Sequence, residues 1–182
     1  MTTTKTVGLL LSSIALLASL GAYQYLSNSK LRNEFLELNQ LKIATQSLGA
    51  SLQTPLKPSQ ANTPVLAGLG FFPLYRVSGA AGSQMVANQW GGSVESELGS
   101  SIGGRSLSFA YTDVPSSVCA VIASKVDGIT EKVTVNGIVT KNLGGNTDLT
   151  KLISACSNKF CIESVDKKCA TSVATIQYEM MM

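Results

Sequence analysis

The sequence predicts an α+β fold in which one long N-terminal helix precedes a single globular head. Three observations support this fold class. An uncharged apolar run near the N-terminus passes into an amphipathic helical pattern, segments typical of strands follow it, and all four cysteines lie in the C-terminal part of the chain. The 182 residues, less the helix, are enough for one domain with its own core rather than two.

The N-terminal helix is predicted over 9–53. No charged residue occurs between positions 7 and 26, a length of about 20 residues that allows a helix to cross a bilayer. The helical periodicity then continues at steps of three or four residues through Leu31, Phe35, Leu38, Leu41, Thr45, Leu48 and Leu52. We therefore expect the first half of the helix in lipid and the second half against the head.

A row of small residues lies within the apolar half of this helix. Its spacing permits close approach of two helices, and it consists of Gly8, Ser12, Ala15 and Ser19. Membrane helices also contain such rows by chance, and the two interpretations have equal weight. A cleavable secretory signal is the alternative for the whole segment, but the apolar run is long for one. The amphipathic pattern that continues from it also fits a retained helix better than a cleaved signal peptide.

Four cysteines, an even number, follow the membrane-targeting segment: Cys119, Cys156, Cys161 and Cys169. Two disulfides in an extracytoplasmic head are expected, because the irregular spacing and the absence of histidine argue against a zinc site. Basic residues are more numerous after the apolar run than before it, and this count alone would place the head in the cytoplasm. We give the cysteines precedence, because disulfides need an oxidising compartment.

The segment between the helix and the head is rich in proline, glycine and small polar residues. This composition predicts a linking loop over 54–73, followed by a globular head over 74–182. Within the head, apolar residues alternate with small ones over 106–111, which predicts a half-buried strand.

Local signals predict three further elements of the head. Pro115 is expected to open a short helix whose inward face carries Cys119. Asn136 and Gly137 stand between apolar β-formers and predict a two-residue hairpin turn, because both turn positions need positive φ. A last strand is predicted over 171–180.

The composition argues against several classes of function. Charged residues make up only 14% of the chain and the net charge of +3 is spread along it, so no nucleic-acid interface is predicted. Gly99 to Gly103 matches a Gly-x-Ser-x-Gly nucleophile motif, but that motif needs a histidine base and the chain has no histidine. A glycine-serine turn is preferred, and a Ser-Lys arrangement stays formally open. No catalytic, cofactor-binding or metal-ligating residues are predicted.

The head contains an Asn-x-aromatic-Gly-Gly turn, a strand ending in Val-Pro and a cysteine four residues later, here Asn88, Trp90, Gly91, Gly92, Val114, Pro115 and Cys119. A second cysteine follows an Asn/Asp-Leu stretch, here 146–156. With these motifs the sequence resembles the type IVb pilins, and the PilS-type branch most closely. The resemblance covers most of the chain loosely. It implies a type IV pilin-like lollipop, with the long N-terminal helix packed on an antiparallel β-sheet head and a disulfide-bounded C-terminal region.

The resemblance also implies how the cysteines pair. By analogy Cys119 pairs with Cys156, and this leaves Cys161 and Cys169 for an additional local bridge. The sequence by itself allows three connectivities of four cysteines and does not choose among them.

Residues 1–8 resemble the leader peptide of a prepilin, which implies cleavage between Gly8 and Leu9 by a prepilin peptidase. Most such pilins carry a glutamate four residues after the first mature residue, and this chain has Ser13 there. The glutamate is thought to compensate the N-terminal amine of a neighbouring subunit, since a buried charge without a partner is costly. Ser13 therefore favours a minor or tip subunit, or a diverged major one.

The predicted function is structural, with no catalysis and no cofactor. The chain would pass from the bacterial inner membrane, through the peptidase and an inner-membrane assembly platform, into an extracellular filament of identical or related pilin subunits. This type IVb pilus would serve adhesion, aggregation or conjugative contact. The alternatives are a pseudopilin of a secretion system, and a membrane-anchored or secreted binding domain that does not polymerise.

Overall fold

A long helix lies on one face of a seven-stranded antiparallel sheet, which confirms the predicted α+β class. The structure, a computed structural model, describes residues 28–54, 56–100, 105–157 and 173–182. The helix, α1, covers 28–51 of these. The predicted membrane segment at 7–26 lies outside the described residues, and no helix within them is both long and apolar enough to cross a bilayer.

Helix α1 packs on the head through the predicted apolar stripe. Leu38, Leu41 and Thr45 are at most 1% exposed, and the other stripe residues pack partly buried against the same core. The hydroxyl of Thr45 is satisfied within the helix, because it donates to the carbonyl of Leu41 at 2.8 Å. One charged side chain lies in the stripe as well, since Glu34 is only 1% exposed.

A short helix, α2 (Thr63–Gly68), lies in the segment that was predicted to be a linking loop. Asn62 caps its N-terminus, because Oδ1 accepts a hydrogen bond from the backbone N–H of Val65 at 3.1 Å. The segment also contributes to the core, where the rings of Phe72 and Phe109 meet edge to face with centroids 6.2 Å apart. Six residues are too few to show a helical period, so the sequence pattern does not indicate α2.

In the described part of the head, seven strands and two more α-helices follow α2. In chain order they are β1 (Val77–Ser78), β2 (Met85–Ala87), β3 (Ser93–Leu98), β4 (Ser106–Pro115), α3 (Ser116–Lys125), β5 (Lys132–Val135), β6 (Ile138–Lys141), α4 (Leu149–Ser157) and β7 (Val173–Met181). The order across the sheet is β1-β2-β3-β4-β7-β5-β6. The C-terminal strand therefore joins the two halves of the sheet.

The two central strands, β4 and β7, supply the middle of the core. Their residues facing α1 are buried, namely Leu107, Phe109, Tyr111, Ile176, Tyr178 and Met180. The prediction of a half-buried β4 is wrong for its other face, where Ser106 and Ser108 are 0% and 3% exposed. Long polar side chains of β7 cover them, since Glu179 accepts a hydrogen bond from Ser106 and Gln177 donates one to Ser108.

The local predictions for the rest of the head are confirmed. Helix α3 begins directly after Pro115, and its residue Cys119 is buried. The β5–β6 hairpin turns at Asn136 and Gly137, whose φ angles are +49° and +79°. The last strand, β7, coincides with the predicted segment to within two residues.

Candidate functional site: the helix–head junction and the disulfide-bounded region

The side chain of Asn88 organises the turn between β2 and β3. Its Oδ1 accepts hydrogen bonds from the N–H groups of Trp90 at 2.9 Å and Gly92 at 3.1 Å, while Nδ2 donates to the Thr112 carbonyl on β4 at 2.6 Å. Gly91 has φ +92°, and a side chain at Gly92 would begin 2.1 Å from the Thr112 oxygen, so both positions require glycine. The pilin-like motif is thus a turn that fixes β2 and β3 to β4.

The other residues of the motif lie around this turn. Trp90 is partly buried and packs against the core. Opposite the turn, β4 is irregular between Tyr111 and Val114, with Asp113 at φ +54°. Val114 is 1% exposed, and Pro115 pairs with β7 just before α3 begins. The Val-Pro end of the strand therefore connects the turn region to the first helix of the C-terminal region.

Five polar side chains connect α1 to the Asn88 turn, and we call this set the helix–head junction: Glu34, Glu37, Tyr75, Arg76 and Gln89. Oε1 of Glu37 accepts three hydrogen bonds, at 2.6 Å from Tyr75, at 2.6 Å from Gln89 and at 3.5 Å from Arg76. Arg76 also donates to the carbonyl oxygen of Asn88 at 3.0 Å. The junction thus ties the helix to the motif turn by direct contacts.

Glu34 is the buried member of the junction. Its Oε2 accepts one hydrogen bond, from the backbone N–H of Gln89 at 3.3 Å, and its Oε1 has no partner among the described residues. Burial, and secondarily the nearby charge of Glu37, raises the pKa of Glu34 to about 7, although the Gln89 N–H and Arg76 act in the opposite direction. A carboxyl group in the core therefore titrates near neutral pH.

We call residues 119–156 the disulfide-bounded region, because a disulfide joins Cys119 of α3 to Cys156 of α4, with Cα atoms 5.8 Å apart. This confirms the pairing that the pilin resemblance implied. Both sulfur-bearing residues are buried, so the bond lies inside the packing of α3 on α4. The predicted second bridge, Cys161 to Cys169, lies outside the described residues and stays a prediction.

A buried lysine holds the same region together at another point. Lys141 on β6 is 6% exposed, and its Nζ donates to the carbonyl oxygens of Asp127 and of Thr130, the latter at 2.6 Å. The Asp127 carboxylate lies 3.5 Å from Nζ and accepts hydrogen bonds from the N–H and hydroxyl of Thr147. These hydrogen bonds, first that of the Thr147 hydroxyl, lower the pKa of Asp127.

A polar groove of about 180 Å³ lies on the sheet face opposite α1. It contains the described part of the Gly-x-Ser-x-Gly motif, Gly99 and Ser100, whereas 101–103 lie outside the described residues. Lys132 donates to the Ser100 hydroxyl at 3.1 Å, and that hydroxyl donates to Glu179 at 2.8 Å. These two hydrogen bonds connect Ser100, which follows β3, to Lys132 of β5 and Glu179 of β7.

The sequence patterns did not indicate the buried charged side chains, which among the described residues are Glu34, Lys141 and Glu179. A signal for Glu34 exists, because it lies three residues after Leu31 and four before Leu38, on the apolar stripe. No comparable signal marks Lys141. Among the described residues, no group of three or more histidine, cysteine, aspartate or glutamate side chains is placed to hold a metal ion.

The predicted assembly and processing residues lie outside the described part of the chain and stay predictions. They are Gly8, Leu9, Ser12, Ser13, Ala15 and Ser19.

A long helix docked on an antiparallel sheet is the fold that this chain shares with solved type IV pilins. Residues 28–173 match the family described as PilS N terminal, which is more than half of the chain. The chain therefore belongs to the PilS family of type IVb pilins, and the resemblance noted in the sequence is confirmed.

Two solved structures share the fold at low sequence identity. The type IVb pilin of Salmonella typhi is 19% identical with a TM-score of 0.58, covering 80% of this chain and 96% of its own. The type IV pilin TcpA of Vibrio cholerae El Tor is 16% identical with a TM-score of 0.52, covering 83% of this chain and 98% of its own. A comparison with curated proteins finds no match.

Proposed function

We propose that the chain is a structural subunit of a type IVb pilus and assembles through its N-terminal helix into a surface filament. The observation that carries this proposal is the two-sided character of α1. One side packs on the head through Leu38 and Leu41, while Leu36 and Ile43 on the other side are 52% and 63% exposed. A lone subunit leaves these apolar side chains in water, and a bundle of such helices would cover them.

The proposal includes a route to the filament. The apolar segment 7–26 would hold the unassembled chain in the inner membrane, a prepilin peptidase would cut between Gly8 and Leu9, and an assembly platform would add the chain to the filament. The Cys119–Cys156 disulfide supports an extracytoplasmic head. Ser13 in place of the usual glutamate favours a minor or tip subunit, or a diverged major one.

Mass spectrometry of the chain tests the processing step. Chain from a host with the peptidase should begin at Leu9, with a methylated N-terminus, and chain from a host without it should begin at Met1. An intact Met1 in both hosts would support a membrane-anchored domain, and a cut near Ala22 would support a secreted binding protein.

Filament incorporation tests the assembly step. Ile43→Arg places a charge on the exposed face of α1 and should remove the chain from sheared filaments, whereas Ile43→Leu keeps the face apolar and should leave incorporation unchanged. Both variants should keep the Cys119–Cys156 bond, which shows that the head has folded. Equal incorporation of the two variants would contradict a role of this face in assembly.

The abundance of the chain in those filaments separates the remaining roles. A major pilin would form the bulk of the filament, and a minor pilin or a pseudopilin would occur as a trace. A binding domain that does not polymerise would be absent from filaments and remain monomeric. The surface role, in adhesion, aggregation or conjugative contact, is tested by comparing cells with and without the chain in attachment, autoaggregation and mating assays.

A further inference from the structure

The helix–head junction holds a carboxyl group with too few partners. Glu34 is 1% exposed, its Oε2 receives a single hydrogen bond of 3.3 Å, and its Oε1 receives none from the described residues. A buried carboxylate is stabilised by two or more donors or by a close cation, and its charge is costly without them. The site therefore favours the neutral form of this side chain.

The groups around Glu34 do not supply the missing partners. On α1 itself, Glu37 adds a like charge. Arg76 favours the charged form of Glu34, but among the described contacts its guanidinium group binds Glu37 and the carbonyl of Asn88 rather than Glu34. From the sheet, Glu34 faces Tyr111 of β4 and Tyr178 of β7, both buried and with pKa values raised well above 10 by burial, so both stay neutral.

We propose that Glu34 makes the helix–head junction a pH-sensitive contact, in which protonation keeps the Asn88 turn docked on α1 and loss of the proton loosens it. In the neutral form, the carboxyl group lies in the core beside Gln89 without a charge to solvate. In the ionised form, desolvation and repulsion by Glu37 favour movement of the carboxylate toward water, and the contact with the Gln89 backbone is lost. The raised pKa of Glu34, about 7, places this change near neutral pH.

The sequence supplies a reporter at the right place. Trp90 is the only tryptophan of the chain, it is partly buried, and it directly follows Gln89. A change in the contact between the turn and α1 should therefore alter its fluorescence. The measurement is made on the unassembled full-length chain in detergent micelles, so its result does not depend on filament formation.

Trp90 emission of the wild-type chain, titrated from pH 5 to pH 9, should change in one step with a midpoint near 7. Glu34→Gln, which keeps the shape of the side chain without its charge, should remove the step and keep the emission of the acidic wild type. The matched control Glu97→Gln, at an exposed glutamate that lines the groove on the other sheet face, should leave the step unchanged. A flat wild-type titration, or a step that persists in Glu34→Gln, would overturn the proposal.

A second measurement needs no substitution and covers the case in which Glu34→Gln does not fold. In the ¹⁵N-labelled wild-type chain, the backbone amide of Gln89 donates to the Glu34 carboxyl, so its chemical shift should titrate with the same midpoint near 7. A Gln89 amide shift that stays constant between pH 5.5 and pH 8.5, or that titrates only below pH 5.5, would also overturn the proposal.

Discussion

The helix–head junction and the disulfide-bounded region each bury a charged side chain, but the two side chains differ in the number of their hydrogen-bonding and ionic partners. Lys141 donates to two carbonyl oxygens and lies 3.5 Å from the Asp127 carboxylate. Glu34 receives one hydrogen bond of 3.3 Å, and its second oxygen has no partner among the described residues. A buried charge with a full set of partners fixes its surroundings, whereas one with too few partners makes them responsive to pH.

The covalent cross-link adds to this contrast, because it lies in the region that is already well bonded. The Cys119–Cys156 disulfide closes a loop of 37 residues that contains Lys141 and the β5–β6 hairpin. The junction, by contrast, is held by packing and hydrogen bonds. The disulfide-bounded region should therefore be more rigid than the helix–head junction.

Removal of the disulfide should have the largest effect. On the chain-entropy argument, a loop closed across 37 residues stabilises the fold by about 4 kcal/mol. The double variant Cys119→Ala, Cys156→Ala leaves no unpaired thiol at this site and should lower the free energy of unfolding by about that amount in urea denaturation. A loss below about 1 kcal/mol would mean that the noncovalent contacts alone hold α3 on α4.

Substitution of the buried lysine should come next. Lys141→Met keeps an apolar chain of similar length but removes the donor to the carbonyl groups of Asp127 and Thr130, which should cost about 3 kcal/mol in the same assay. The control is Lys132→Met, at a partly buried lysine whose one described hydrogen bond goes to Ser100, and it should cost less than about 1 kcal/mol. Equal losses in the two variants would contradict the role given to Lys141.

At the helix–head junction, the buried carboxyl group of Glu34 should make the free energy of unfolding depend on pH. The folded-state pKa of Glu34, about 7, exceeds the ordinary value of 4.5, so between these values the folded chain binds a proton that the unfolded chain has lost. Its contribution to stability is complete below pH 4.5 and is lost as the pH rises to 7. From pH 5 to pH 8 this loss should be about 2.5 kcal/mol.

Glu34→Gln isolates this effect. The other titrating groups contribute equally to both chains, so their contributions cancel in the difference in unfolding free energy between variant and wild type. The lowered pKa of Asp127 acts with the opposite sign, since its contribution is present above pH 3.8 and is lost as the pH falls through its folded value. The wild-type chain should therefore lose stability relative to Glu34→Gln between pH 5 and pH 8. A constant difference over that range would mean that Glu34 is ionised in the fold.

Local patterns were enough to predict much of the fold. The stripe on α1, the helix after Pro115 and the turn at Asn136 and Gly137 each depend on a few neighbouring residues, and all three are confirmed. The pairing of Cys119 with Cys156 needed the pilin resemblance, because spacing alone allows three connectivities. The resemblance to the pilins rests in part on the Asn88 turn. Only the structure shows why this turn needs its residues, because it lies close against the Thr112 carbonyl.

The features that were not predicted depend on contacts between distant parts of the chain. Glu34 meets Gln89 across 55 residues, and nothing local to either residue indicates that contact. Ser106 and Ser108 look like the solvent face of a strand until β7 is known to lie beside them, about 70 residues later in the chain. Burial of a polar group is decided by its partners, and sequence patterns report mainly on neighbours.

The smallest expected effect tests whether the rigidity of the disulfide-bounded region is shared among many contacts. At the β5–β6 turn, Asn136 has φ +49°, accepts a hydrogen bond from the Thr175 N–H at 2.9 Å and donates to the Ala155 carbonyl at 2.9 Å. Asn136→Gly keeps the turn conformation and removes only these bonds, which should cost about 1 kcal/mol in urea denaturation. Asn136→Ala loses the same bonds but keeps a Cβ at positive φ, without the polar side chain that lets asparagine adopt this conformation, and should cost about 1 kcal/mol more than Asn136→Gly.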